Sequence, residues 1–289
     1  MAKWCLYVHT ASALQGYADR WKNNNQKEEN MSTVIYPSPI FGPVKSRRLG
    51  ISLGINLMPA DGKVCTFDCV YCECGFNAER RPALRRPARC EVSDALEQTL
   101  KSMGEAGELP DVLTFAGNGE PTAHPLFADI IADTLRLRDK YCPKAKVSVL
   151  SNATMLGRED VFKALLSVDN NIQKLDTVSA EYINSIDRPQ SSSYNVDEVV
   201  EQLKAFGGKV IIQTLFMRGE ADGVPADNTG EEYVEPWLKA LRYIAPSEVM
   251  VYTIDRETPA KGLLKASPEE LDAICARVQA LGIKCSASY

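Results

Sequence analysis

From Ile51 onward, short apolar runs rich in β-branched residues alternate with stretches whose apolar residues recur every three to four positions. The runs Ile51–Leu57, Val112–Ala116, Lys146–Leu150, Lys174–Val178, Val210–Phe216 and Glu248–Ile254 predict strands. The intervening and following stretches Ser93–Ala106, Pro125–Tyr141, Arg158–Ser167, Val196–Phe206, Glu232–Ile244 and Pro268–Leu281 predict helices. In the last of these, Leu271, Ile274, Val278 and Leu281 are spaced to bury one face. Ser93 and Ser267 are expected N-caps, Pro268 fits a first turn, and Gly207 and Gly282 fall where helices stop. Six strand–helix units in a row require a parallel sheet with helices outside it. Six are too few to close an eightfold barrel, so the expected fold is α/β, a partial (β/α)6 TIM-like barrel. A doubly wound open sheet is the structural alternative, distinguished by ligands gathering at a strand-order switch point.

The chemistry gathers at the C-terminal ends of these strands, where such barrels place their sites. After the first strand comes KVCTFDCVYCECG, with Cys65, Cys69 and Cys72 in a C-x3-C-x2-C spacing and Tyr71 directly before the third cysteine. A four-iron cubane cluster is usually held by four thiolates. Three thiolates in eight residues leave one iron open to bind a small molecule and pass it an electron. A zinc site normally shows two paired elements and four ligands. Cys74 offers a fourth thiol, but the Cys72-Glu73-Cys74 spacing is awkward for a closed knuckle. A partial second site from Cys74 and Cys90 is a further option.

The second strand runs into FAGNGEPTAHP. Gly117 and Gly119, around Asn118, let backbone approach a ligand closely, and Glu120 supplies a carboxylate. Gly-Asn-Gly is also an ordinary turn; its place one unit beyond the cysteines gives it weight. His124 reads as structural. Other strand ends carry Asn152, Asp176 and Gln213, then Thr253, Asp255 and Arg256.

Composition narrows the class. The 289 residues are 45% hydrophobic and 25% charged, ordinary for a globular enzyme. A net charge of −5 gives no global attraction to nucleic acid or anionic lipid, so any such partner is met locally. No apolar run approaches the roughly 18 residues of a membrane span, and no signal peptide is evident. Nine cysteines then point to metal or redox chemistry in a cytoplasmic enzyme rather than to disulfides. Residues 1–30 include the polar, aperiodic KNNNQKEEN and are expected to form a flexible extension, with residues 31–289 as the working domain. One segment is strongly basic: ERRPALRRPARC, with Arg80, Arg81, Arg85, Arg86 and Arg89, near Lys45, Arg47 and Arg48. Charge runs are usually solvated surface, yet arginine also suits phosphate.

CTFDCVYCECG together with GNGEP resembles the radical S-adenosylmethionine (radical SAM) superfamily. GPVKSRRLGISLGINLMP and VYTIDRETPAKG extend the resemblance, from about Tyr36 to the end, to the bacterial and archaeal Fe–S oxidoreductases related to tRNA wyosine synthases. The resemblance implies one 4Fe-4S cluster on Cys65, Cys69 and Cys72, with S-adenosyl-L-methionine on the open iron. Reductive cleavage then yields a 5′-deoxyadenosyl radical that modifies a substrate. It implies that Gly117, Asn118, Gly119 and Glu120 hold the SAM amino group. Asn152, Asp176 and Gln213 are expected to contact its carboxylate and ribose, and Tyr71 to pack on adenine. Arg188, Thr253, Asp255 and Arg256 are candidate substrate contacts. The expected partners are a flavodoxin- or ferredoxin-like electron donor and an unidentified substrate, RNA or another phosphate-bearing molecule, with no membrane. Asn118 departs from the glycine of many members. Wyosine synthases also carry an N-terminal cysteine triplet, whereas only Cys5 precedes Cys65 here, so the wyosine reaction is not expected. Two other classes stay open: a zinc-stabilised nucleic-acid-binding module and a SAM-independent Fe–S electron-transfer protein.

Overall fold

The structure, a computed structural model, describes residues 33–46 and 50–289. The expected extension at 1–30, together with Cys5, Arg47 and Arg48, lies outside the described residues. An eight-stranded sheet organises the rest. Its strands are β1 (Ile40–Ser46), β2 (Gly50–Ile55), β3 (Val112–Phe115), β4 (Lys146–Ser151), β5 (Asn170–Lys174), β6 (Ile211–Leu215), β9 (Glu248–Tyr252) and β11 (Lys284–Ser288), neighbours in that order. β1 is antiparallel to β2 and every other pairing is parallel. The helices α1 (Arg89–Ala106), α2 (Phe127–Tyr141), α3 (Glu159–Ser167), α4 (Val196–Lys204), α5 (Glu231–Ile244) and α6 (Pro268–Ala280) connect the parallel strands. This is the partial (β/α)6 TIM-like barrel, with β11 as a further parallel strand after the sixth unit.

Period-two alternation separates the two faces of the sheet. Leu53, Ile55, Leu113, Phe115, Val147, Val149, Ile212, Val249 and Val251 pack with the buried stripes of the helices in the main core. Each such large side chain contributes about 1.5–3 kcal/mol of transfer free energy. The other face is polar at its lower end, where Ser52 and Thr114 hydroxyls bond at 2.8 Å and Asn170 Nδ2 donates to Ser148 Oγ at 2.8 Å. Above them sits a small cluster of Ile172, Ile211 and Met250.

The expected order of the six units holds; β1 and β11 are added at the two edges of the sheet, and further differences lie within the units. β5 spans Asn170–Lys174 rather than Lys174–Val178. Its Asn-Asn start reads as a turn, but those amides are satisfied inside the fold by Ser148 and by the Lys209 carbonyl. α1 begins at Arg89 rather than Ser93, because Glu91 accepts from the Ala88 N–H at 2.6 Å and caps the helix earlier. A small sheet of β7 (Met217–Ala221), β8 (Val224–Pro225) and β10 (Leu263–Lys265) grows beyond the end of β6. Ser267 does cap α6, accepting from Glu270 N–H while Glu270 accepts from Ser267 N–H.

Candidate active site at the barrel mouth

The loops at the C-terminal strand ends share one mouth, and the cysteine loop lies across it. Backbone hydrogen bonds hold that loop from three directions. Val64 bridges Gly119 of the loop after β3, with Val64 N–H donating to the Asn118 carbonyl at 2.9 Å. The segment after β5 runs alongside: Val70 N–H donates to Ile186 O at 3.0 Å, Asp68 N–H to Asp187 O at 3.0 Å, and Gln190 N–H to Thr66 O at 2.8 Å. From the loop after β9, Ala260 N–H donates to Val70 O at 3.2 Å. Asn77 ties the loop internally, bonding Cys65 N–H, Cys65 O and Phe67 O. Val70 and Tyr71 sit on a second apolar cluster with Tyr182, Ile186, Leu215 and Met217.

Cys65, Cys69 and Cys72 are free, partly buried thiols. Burial pushes Cys65 up to about 12, with the Glu120 carboxylate adding to the shift. Cys72 falls to about 6, because the Cys74 thiol bonds to it and, against burial, the Lys63 ammonium faces it. Among the described residues, no three or more His, Cys, Asp or Glu side chains are arranged around a single ion. A zinc knuckle demands such an arrangement, whereas three ligands to a cubane bind three different irons and stand further apart. The donor set fits a cluster. Cys74 is buried, its thiol donating to Gly117 O at 3.4 Å, and Cys90 is exposed at the start of α1.

Gly119 has φ 145°, and a Cβ there would lie 1.8 Å from Val64 O, so only glycine permits this approach. The Asn118 side chain turns inward. It accepts from Tyr36 N–H at 2.7 Å and donates to Tyr36 O and Pro59 O, pinning the segment before β1. Glu120 is buried, and desolvation raises its pKa. Its Oε1 accepts from Thr122 N–H at 3.0 Å and from the Thr122 hydroxyl at 2.5 Å, while Oε2 accepts from Asn152 N–H at 2.7 Å. The Asn152 amide bonds Thr66 Oγ1 at 2.8 Å and comes within 3.7 Å of Cys65 Sγ. Glu120, Asn152 and Cys65 are therefore neighbours. His124 is structural: Nδ1 accepts from Leu126 N–H and Nε2 donates to Pro87 O at 3.0 Å.

On the other side of the loop the Tyr71 phenol donates to Asp176 and, at 3.1 Å, to Asp187. Lys174 Nζ lies 2.6 Å from Asp187 and 3.1 Å from Asp176, and Leu215 N–H donates to Asp176 at 2.9 Å. Burial raises Asp187 to about 6. Gln213 is half-buried opposite Lys174 in the register. Asp187, Lys63 and Asn77 escape a reading of the sequence because their roles come from tertiary partners. The only local hint is that Lys63 stands two residues before Cys65.

The expected substrate contacts divide. Thr253 is buried and accepts from Ala266 N–H at 2.9 Å, an internal support rather than an open contact. Asp255 pairs with Lys265 at 3.8 Å. Arg256 reaches across the mouth to Glu73 at 3.1 Å and Tyr36 OH at 3.0 Å. Arg188 adopts φ 52° and donates to Ser185 O, its guanidinium 5.5 Å from the Phe76 ring. Much of the basic segment is spent within the protein: Arg85 bonds Glu91 through two nitrogens, Arg89 pairs with Asp129 and Asp133, Arg80 bonds Thr33, and Arg86 bonds Ala123 O. Arg81 is exposed.

Among the described residues no helix is long and apolar enough to cross a membrane. Comparison with known proteins agrees with the site. The chain is 28% identical over 237 residues to a UPF0026 protein of Helicobacter pylori, covering 81% of this chain and 72% of that one. A radical SAM methyltransferase from Sphaerobacter thermophilus shares the fold with a TM-score of 0.60 at 16% identity, over 82% of this chain and 66% of that one. TYW1, a wyosine synthase, shares it with a TM-score of 0.54 at 13% identity, over 79% of this chain and 73% of that one. The chain covers only 34% and 53% of the length of two further curated relatives. The Radical SAM superfamily model matches residues 61–225, from just before the cysteine loop to β8 and over more than half of the sequence. With three clamped thiols at the mouth of a partial barrel, the chain belongs to the radical SAM superfamily and is a radical SAM enzyme.

Proposed function

We propose that this enzyme binds one 4Fe-4S cluster through Cys65, Cys69 and Cys72, together with SAM, and uses them to modify a substrate above the barrel mouth. The observation that carries the reading is the three free thiols on one clamped loop, beside the buried Glu120–Asn152 pair. When bound, the cluster supplies the electron that cleaves SAM reductively to a 5′-deoxyadenosyl radical. The chain's own residues bind and orient. Gly117, Asn118 and Gly119 offer backbone acceptors, and Glu120 a carboxylate, to the SAM ammonium, which has only donors to give. Asn152 and Gln213 supply polar contacts to the rest of SAM. Asp176 accepts from the Tyr71 phenol and fixes that ring as an adenine platform. Packing around Val70 and Tyr71 excludes water.

The electron donor in this reading is an external flavodoxin- or ferredoxin-like protein, and the setting is cytoplasmic. Arg81, Arg188 and Arg256, all reachable from solvent, support a phosphate-bearing or RNA substrate. Anaerobic reconstitution with iron and sulfide, followed by SAM titration under electron paramagnetic resonance, tests the proposal. Wild-type protein is expected to show a SAM-dependent spectral change and to release 5′-deoxyadenosine after reduction, and C69A neither. A cluster signal indifferent to SAM would overturn it.

A further inference from the structure

Lys63 enters the fold instead of reaching solvent, its side chain 1% exposed. Its ammonium donates to Gly75 O at 2.6 Å and lies 3.4 Å from Asp68 Oδ1. Both partners belong to the cysteine loop: Asp68 immediately precedes Cys69, and Gly75 N–H bonds the Cys72 carbonyl at 2.9 Å. The positive charge is thus enclosed by the loop that carries the three thiols.

A buried ammonium is costly unless an anion pairs with it. Asp68 is a weak counter-charge: it is 19% exposed, distant, and its Oδ1 also accepts from Asn77 N–H at 2.8 Å. Lys174, on the other side of the loop, differs, with buried carboxylates at 2.6 and 3.1 Å. Its charge is cancelled within the protein, while that of Lys63 is left largely for whatever the cysteines hold.

We infer that Lys63 is a positioning and charge-tuning residue whose ammonium is the built-in counter-charge to the thiolate-bound cluster and raises its reduction potential. The inference rests on the cluster reading of Cys65, Cys69 and Cys72. Reduction adds one negative charge to the cluster, and a nearby cation out of water stabilises that state more than the oxidised one. Asp68 opposes the effect by partly neutralising Lys63.

The test is a redox titration of the reconstituted full chain without SAM, followed by electron paramagnetic resonance and visible absorption, with iron counted for each sample. K63M is expected to carry a full cluster at a more negative midpoint potential, K63R to stay near wild type, and D68N to move to a more positive one. A fully loaded K63M with the wild-type midpoint overturns the inference. Should K63M fail to fold or load, K63Q, which keeps a donor for Gly75 O without the charge, decides: a midpoint more negative than wild type supports the inference, and an unchanged or more positive one overturns it. A wild-type chain that takes up no cluster overturns the reading of the cysteines, and this inference with it.

Discussion

Gly119 and Val64 touch where the loops of the first and second units meet, and no side chain fits between them. G119A is expected to lose about 1–3 kcal/mol of unfolding free energy, the range for strain at such a backbone position, in a urea titration. A loss below about 0.5 kcal/mol, the ordinary surface value, would show that the bridge is dispensable. Asp187 offers a pH handle. Two buried carboxylates share Lys174, and burial raises Asp187 from 3.8 to about 6. A raised folded-state value means the protonated form is favoured on folding. Its contribution is therefore full below the unfolded value and is lost as pH rises through the folded one. In the cluster-free chain, wild-type stability relative to D187N is expected to fall between pH 3.8 and about 6. A constant difference across that window would show that Asp187 titrates normally.

At the scale of elements, the cysteine loop has no regular structure of its own and borrows order from its neighbours. Asn77 alone makes three bonds to it, each worth about 0.5–1.5 kcal/mol net. N77A is expected to lose iron severalfold faster to a chelator than wild type, with unchanged far-ultraviolet circular dichroism. Equal rates would show that the loop is held elsewhere. The three cysteines were legible because their spacing packs the candidate ligands into one short segment. Lys63, Asn77 and Asp187 were not, since a lysine in GKVC or an asparagine in GFN acquires meaning only from a tertiary partner. The same reason separates the strands. β2, β3, β4, β6 and β9 announce themselves by apolar, β-branched runs. β5 hides behind Asn170 and Asn171, and β11 reads KCSAS, which shows no apolar alternation until β9 is beside it.

At the scale of the molecule, the sheet runs from β1 to β11, and Arg256, just after β9 near one edge, reaches Glu73 and Tyr36, which flank β1 and β2 near the other. Both partners of the ion pair are substantially exposed, so R256A is expected to change unfolding free energy by under about 1 kcal/mol. Thermal melts at low and high salt check this, and a large salt-insensitive loss would show a buried linkage instead. The backbone bonds that steady the cysteine loop have a consequence in time. They come from the loop after β3, from the segment after β5 and from Ala260, which leaves the ribosome long after Cys72. A nascent chain therefore displays loose thiols and only the finished barrel displays fixed ones. On the proposed cluster reading, whatever delivers iron and sulfide is expected to meet a folded mouth rather than an emerging peptide.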